Sequence, residues 1–150
     1  MKKKIVKSAF LAIALAMLGF NSNAQNTKKT AFTLKITNVQ NATATIHIGF
    51  YKKENEFPTQ QKHSFAKELI PSKTGEIIIT WDDVPEGEYA LAIYQDIDNN
   101  GRMKSNLFGY PKEPFAFTQN FKPKMSKPKF DQCKITFDAI NNMFEVKLID

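Results

Sequence analysis

Apolar and polar residues alternate one by one along most of the chain beyond residue 31. Successive side chains of a strand point to opposite faces, so this alternation predicts strands with one buried face and one wetted face. Seven short segments show the pattern: Phe32–Ile36, Ala44–Phe50, Phe65–Leu69, Ile77–Trp81, Tyr89–Ile93, Cys133–Phe137 and Phe144–Leu148. Beyond residue 24, no helical periodicity exceeds two turns, and only Asn55–Lys67 has room for a single helical turn.

The segments between these predicted strands carry turn residues. Examples are Pro71–Gly75 and Val84–Gly87, where proline fixes one backbone angle and glycine permits unusual ones. Strands that each bury one face and are joined by short polar turns are typical of two packed antiparallel layers. We therefore predict an all-β fold, an antiparallel Greek-key β-sandwich of about seven strands.

Two connections are too long to be simple turns, Lys52–Lys62 and Ile97–Phe130. The second one is rich in aromatic residues, which suggests either of two roles. In the first, its aromatic residues line a groove for an envelope glycan, a peptide or a protein partner. In the second, the connection folds over one sheet and its aromatic residues cover an open end of the core. The candidate binding residues are Phe108, Tyr110, Glu113, Phe115, Phe117 and Asn120.

The stretch DIDNNGRMKSN, Asp96–Asn106, places oxygen ligands at alternate positions and then a glycine, as the first half of an EF-hand loop does. The candidate calcium ligands are Asp96, Asp98, Asn100, the carbonyl of Arg102, and Asn106. The second half departs from that pattern, because position 9 is Lys104 and position 12 is Leu107. The alternative is a metal-free turn in which the aspartates accept backbone hydrogen bonds and Lys104 supplies the counter-charge.

The first 24 residues have the layout of a secretory signal peptide. A basic start with Lys2, Lys3, Lys4 and Lys7 precedes the 13-residue uncharged run Ser8–Phe20 and the small residues before Ala24. The run is shorter than the roughly 20 residues that a membrane-spanning helix needs. We expect cleavage after Ala24, a single domain over residues 25–150, and a periplasmic or secreted protein without a membrane span.

Removal of the leader changes the charge balance. Of the 21 basic residues, four leave with the leader, and the remaining 17 against 15 acidic residues give a net charge of +2. The basic pI therefore belongs largely to the leader, and we expect no nucleic-acid partner. The one cysteine, Cys133, excludes an internal disulfide, and we expect it to be a buried, unreactive thiol on the core face.

No catalytic constellation is evident in the sequence. Its two histidines, His47 and His63, have no nucleophile elbow nearby, and the chain has no H-E-x-x-H, C-x-x-C or glycine-rich phosphate loop. We expect a non-catalytic binding or structural accessory of the cell envelope. The alternatives are a calcium-stabilised or calcium-binding extracellular module, and an enzyme with an unrecognised site.

Three motifs resemble domain-of-unknown-function family 2141, which is found in secreted bacterial proteins. They are DDVPEGEYALAIYQDID, DNNG and NLFGYPKEPFAFTQN, and the resemblance runs from about Phe32 to Leu148. In the last motif the family typically has Gly, Pro and Glu, followed by an aromatic-Gly-Phe-Ser-Asn-Asn segment. The residues that match it are Gly109, Pro111, Glu113, Phe115, Phe117 and Asn120, and those that depart from it are Ala116, Thr118 and Gln119.

The resemblance implies an architecture and no established activity. The family usually has Asp where this chain has Lys104, so a metal site does not carry over by resemblance. The turn V-P-x-G-x-Y-x-L also resembles those of transthyretin-like sandwiches. Together with the strand pattern, it makes an immunoglobulin-like or transthyretin-like fold our expectation, and fold alone does not confer function.

Overall fold

A computed structural model describes residues 30–107, 109–124 and 126–150. The strands are β1 (Phe32–Val39), β2 (Thr45–Tyr51), β3 (Phe65–Leu69), β4 (Gly75–Trp81), β5 (Gly87–Asp96), β6 (Phe115–Phe117), β7 (Lys134–Phe137) and β8 (Met143–Lys147). One helical turn, α1, covers Phe130–Cys133, and two 3-10 turns cover Gln60–Lys62 and Thr118–Asn120. The predicted leader, residues 1–24, lies outside the described residues.

The strands form two sheets, which confirms the all-β prediction. One sheet has the order β4-β1-β8. The other has the order β3-β2-β5, and both β6 and β7 pair with the far edge of β5, one after the other along its length. All seven predicted strands are present, and β6 is an additional one that arises inside the long connection between β5 and α1.

The main core lies between the inner faces of the two sheets. The apolar positions of the alternating segments form it: Phe32, Leu34 and Ile36 of β1 are fully buried, as are Ile46, Ile48 and Phe50 of β2. Trp81 packs at its rim, with its ring centroid 6.3 Å from that of Phe32 and 6.4 Å from that of Phe50. Burial of these side chains provides the main driving force for folding.

The pairing of β8 differs from the prediction of a wholly antiparallel fold. β8 pairs with β1 in parallel, with Leu34 opposite Phe144. The reason is that the chain changes sheets after β7. Asp138 Oδ1 accepts hydrogen bonds from the backbone N–H groups of Ile140 and Asn141, which forms a tight turn, and the chain then enters the other sheet alongside β1.

β5 is buried on both faces, which one-sided alternation does not predict. Its inner face contributes to the main core, whereas its outer residues Ala90 and Tyr94 belong to a second cluster. Phe115, Phe117, Phe130 and Cys133 complete this cluster. Cys133 is fully buried as predicted. It is the last residue of α1 and packs in the second cluster, and not in the main core, where Ile135 lies. Burial raises the pKa of its thiol to about 12.

Thr118 joins the two short strands that share one edge of β5. Leu91 lies between the segment of β5 that pairs with β7 and the segment that pairs with β6. Its backbone N–H donates to Thr118 Oγ1 at 3.0 Å, and that hydroxyl donates to the Cys133 carbonyl at 2.5 Å. Thr118 is 1% exposed, so water does not reach this site. Its hydroxyl is therefore the hydrogen-bond partner of both the Leu91 N–H and the Cys133 carbonyl.

Among the described residues, none belongs to a helix that is long and apolar enough to cross a membrane.

Candidate functional site

The outer face of the five-stranded sheet carries a row of small residues. Ala66 of β3 pairs with Gly49 of β2, and Gly49 pairs with Ala92 of β5. The next row on the same face holds Glu68, His47 and Tyr94. Small side chains beside large ones create a depression in the sheet surface, and all of these residues line a cleft of about 630 Å³. That volume lies within the range typical of small-molecule sites.

Three chain segments rise around this depression and form the walls of the cleft. Pro58, Thr59 and Gln60 come from the connection between β2 and β3. Met103 and Tyr110 come from the loop after β5. The third segment, residues 122–124 and 126–128, is called the strap here, and its Pro123, Lys124, Ser126, Lys127 and Pro128 line the cleft.

Gly49 is required by the close approach of Tyr51 to the floor of the cleft. A Cβ atom at position 49 would lie 2.8 Å from the ring of Tyr51, closer than real Cβ atoms come to their neighbours. The Tyr51 hydroxyl donates to the Thr59 carbonyl at 3.0 Å, which ties the β2–β3 connection to the sheet. Burial raises the pKa of Tyr51 to about 12, so this hydroxyl keeps its hydrogen at neutral pH.

His47 lies between two carboxylates and against an aromatic ring. Its Nδ1–H donates to Glu68 Oε1 at 3.0 Å, and its ring stacks on Tyr94 with centroids 4.7 Å apart. Its Nε2 is buried 3.5 Å from Asp96 Oδ2 and has no hydrogen-bond partner among the described residues. Neither ring nitrogen is therefore presented to the cleft as a free general base.

Tyr94 offers the cleft a hydroxyl whose hydrogen is not used by the described residues. Its Oη accepts a hydrogen bond of 2.7 Å from Gln60 Nε2, and Gln60 Nε2 also donates to the Gly101 carbonyl at 3.1 Å. The pKa of Tyr94 is raised well above its usual value, first by burial and then by the negative charges of Asp96 and Glu113. Tyr94 therefore keeps its hydrogen at neutral pH and can donate it.

The aromatic residues predicted to bind a ligand pack mainly on the sheet. Phe115 and Phe117 are buried in the second cluster, with ring centroids 5.7 Å apart, and Tyr110 packs edge-on against Phe115 at 5.6 Å. All three also line the cleft. The segment that carries them folds over the outer face of the five-stranded sheet. Phe108 lies outside the described residues.

Asn120 and Glu113, the two polar candidates, hold backbone in place. Asn120 Oδ1 accepts from the N–H of Lys147 at 2.7 Å, and its Nδ2 donates to the Glu145 carbonyl at 3.3 Å, so its amide pairs with the free edge of β8. Glu113 is 4% exposed, and its two oxygens accept from the N–H groups of Ile97 and Lys104 at 2.9 Å each. Neither residue lines the cleft of about 630 Å³.

Three carboxylates meet at the loop after β5, and sequence spacing had identified two of them. One oxygen each of Asp96, Asp98 and Glu113 lies within 4.8 Å of the others. Buried Asp96 accepts from the N–H groups of Asn100 at 3.1 Å and Gly101 at 2.6 Å. Exposed Asp98 forms an ion pair with Lys104, whose ammonium donates to it and holds the pKa of Asp98 below its usual range.

Two further predicted calcium ligands, Asn100 and Asn106, are used in local turns. Asn100 Oδ1 accepts from the N–H of Arg102 at 2.8 Å, and Asn106 Oδ1 accepts from the N–H of Tyr110 at 3.0 Å. Asn99 and Gly101 both have positive φ angles, which Asn and Gly tolerate best. The loop thus has the features that the sequence predicted for the metal-free alternative, with Glu113 as an additional acid.

The cleft residues His47, Gly49, Tyr51, Gln60, Ala66, Ala92 and Tyr94 were not identified from the sequence. A signal was present, because the positions of β2 and β5 predicted to face water hold glycine, alanine and tyrosine. Solvated strand faces more often carry charged or hydroxyl side chains, so these residues indicate a second cover on the sheet.

Comparison with known proteins gives a family. Residues 34–144 match the family model described as an uncharacterised protein conserved in bacteria, domain-of-unknown-function family 2141. Neither the curated proteins nor the solved structures give a match. The matched stretch includes most of the strands, the cleft floor and the three-carboxylate loop, and this chain therefore belongs to domain-of-unknown-function family 2141.

Proposed function

We propose that this protein is a non-catalytic binding module of the bacterial cell envelope that holds a small molecule in the cleft on its five-stranded sheet. The observation that carries the proposal is the cleft itself. It combines a floor of small residues with aromatic and proline walls from three separate segments. Ligand sites of soluble proteins typically combine a mostly apolar lining with a few oriented polar groups.

The side chains around the cleft support binding more than catalysis. A general base needs a free nitrogen or carboxylate within reach of a substrate proton. His47 has one nitrogen bonded to Glu68 and the other buried beside Asp96. His63 donates through Nδ1 to the Gln60 carbonyl. These pairings orient the walls of the cleft and do not provide an evident nucleophile.

The leader-like segment at residues 1–24 supports export, cleavage after Ala24, and a role in the periplasm or outside the cell. Within the described residues, the two packed sheets are compatible with an immunoglobulin-like or transthyretin-like Greek-key arrangement. An envelope glycan, a peptide or a protein at the aromatic-rich loop is the alternative partner class. The volume of the cleft, about 630 Å³, favours a small molecule over these larger partners.

A blocking variant tests the proposal. Ala66 is exposed and lines the cleft, so Ala66→Trp should fill the cleft without disturbing the core. Thr80→Trp is the matched control, since Thr80 is exposed on the outer face of the three-stranded sheet. We expect the neutral fluorescent probe N-phenyl-1-naphthylamine to bind the native protein and Thr80→Trp at one saturable site and to bind Ala66→Trp much more weakly. Equal binding by all three proteins would refute the proposal.

A calcium-binding module is the second candidate, and the specific observation in its favour is Glu113 beside Asp96 and Asp98. Against it, Lys104 already neutralises Asp98, and the oxygens of the two buried acids accept backbone hydrogen bonds. We expect thermal melts in millimolar Ca²⁺ and in chelator to superimpose. A calcium-dependent rise in melting temperature would favour the second candidate instead.

A further inference from the structure

At the polar end of the cleft, the hydroxyl of Tyr94 is a donor without an acceptor among the described residues. Tyr94 Oη accepts a hydrogen bond from Gln60, so its own hydrogen is available to a second partner. No described residue accepts that hydrogen. The Tyr51 hydroxyl differs, since it already donates to the Thr59 carbonyl. A buried hydroxyl that lacks an acceptor loses part of its hydrogen-bond energy, and a ligand that supplies the acceptor recovers it.

The charges around Tyr94 restrict which ligand groups can accept its hydrogen. Asp96 and Glu113 are both buried, and their negative charges are felt at the phenol, where they contribute to its raised pKa. An anionic head group at this position would be repelled by these two carboxylates. A cationic ammonium group would be attracted, but it has no acceptor for the Tyr94 hydrogen. An uncharged oxygen acceptor satisfies both conditions.

We propose that the cleft binds an uncharged molecule with an apolar body and a carbonyl-type oxygen, and that the Tyr94 hydroxyl donates to that oxygen. This inference rests on the proposed function. The apolar body lies along the row of Ala66, Gly49 and Ala92, and the oxygen is placed at the Tyr94 end. Lys124 and Lys127 of the strap lie at the exposed rim and remain solvated.

Four ligands with ten-carbon chains test the inference by displacement of N-phenyl-1-naphthylamine from the native protein. They are 2-decanone, 1-decene, decanoate and decylamine, which carry a neutral acceptor, no oxygen, an anionic group and a cationic group. We expect 2-decanone to displace the probe at the lowest concentration. One neutral hydrogen bond corresponds to a preference over 1-decene of roughly 3- to 10-fold.

Variants assign the preference to one hydroxyl. Tyr94→Phe should bring 2-decanone to the level of 1-decene, while Tyr89→Phe should keep the difference, because Tyr89 lies outside the cleft and its hydroxyl already donates to the Pro85 carbonyl at 2.9 Å. Melting curves of each variant confirm that it is folded.

The outcomes separate the two proposals. If decanoate or decylamine displaces the probe best, or if the ketone preference survives in Tyr94→Phe, the ligand class is wrong although the cleft binds. If Tyr89→Phe removes the preference as fully as Tyr94→Phe, the assignment to the Tyr94 hydroxyl is wrong. If the native protein and Ala66→Trp treat every compound alike, the cleft is not a binding site and the proposed function fails.

Discussion

The single hydroxyl of Thr118 connects β5 to the ends of two shorter strands, and its removal should be costly. In Thr118→Val the shape is kept, but the Leu91 N–H and the Cys133 carbonyl both lose their partner in a site that is 1% exposed. A buried unpaired group costs about 1–3 kcal/mol, so two such groups cost roughly 2–6 kcal/mol. That is a large share of the roughly 5–15 kcal/mol by which domains are stable.

Thr118→Ser is the matched control, because it keeps the hydroxyl and loses only a methyl group. Burial of that methyl contributes about 1 kcal/mol. Urea unfolding followed by Trp81 fluorescence gives both free energies of unfolding, and thermal melts should show a drop of about 4 °C per kcal/mol for a domain of this size. We therefore expect Val to be the more destabilising substitution. If Ser were as damaging as Val, or more so, apolar packing would govern this position and the hydrogen-bond argument would be refuted.

Three further predictions concern single side chains. Asp96→Ala should lower the free energy of unfolding by about 2–4 kcal/mol because the N–H groups of Asn100 and Gly101 lose their acceptor. Asp98→Ala, which loses only an ion pair at the surface, should lower it much less in the same urea experiment. The pKa of Asp138 is lowered in the folded protein, chiefly by the hydrogen bond from the backbone N–H of Asn141. Ionised Asp138 therefore contributes its full stabilisation above the unfolded-state pKa of about 3.9, and this stabilisation is lost as pH falls through the lower folded-state pKa. Melts between pH 5 and pH 2.5 should therefore fall less steeply for Asp138→Asn than for the native protein, and equal slopes would contradict this. The buried Cys133 thiol should not react with a disulfide reagent at pH 8 until urea unfolds the protein, and rapid labelling of the native protein would show that it is accessible.

The main core could be predicted from the sequence because one-sided alternation reports directly on burial. Phe32, Leu34 and Ile36 were assigned to one face, and all three are fully buried. The parallel pairing of β8 could not be predicted, because alternation indicates which face is buried and carries no information about which strand lies alongside. The predicted single turn within Asn55–Lys67 is present as the 3-10 turn Gln60–Lys62.

The candidate site was predicted less well because it depends on irregular segments that cover a sheet. The acidic loop was identified from its spacing, but Glu113 comes from a position 15 residues beyond Asp98 and meets it only in the folded chain. Likewise, Gly49 and Ala92 become neighbours only through the pairing of β2 with β5. Residue spacing detects ligands within one loop and misses those that strand pairing brings together.

The long connection after β5 serves both the fold and the cleft, and different parts of it do so. Its middle part contributes β6 and Thr118, which complete the five-stranded sheet and pair with buried backbone groups. The strap that follows has no hydrogen bond to the sheet in its described part, although Pro128 at its end is buried. Segments with few hydrogen bonds open at the lowest free energy. Local opening of the strap would therefore leave the sheet intact, whereas removal of the whole connection would expose Phe115, Phe117 and the outer face of β5 to water.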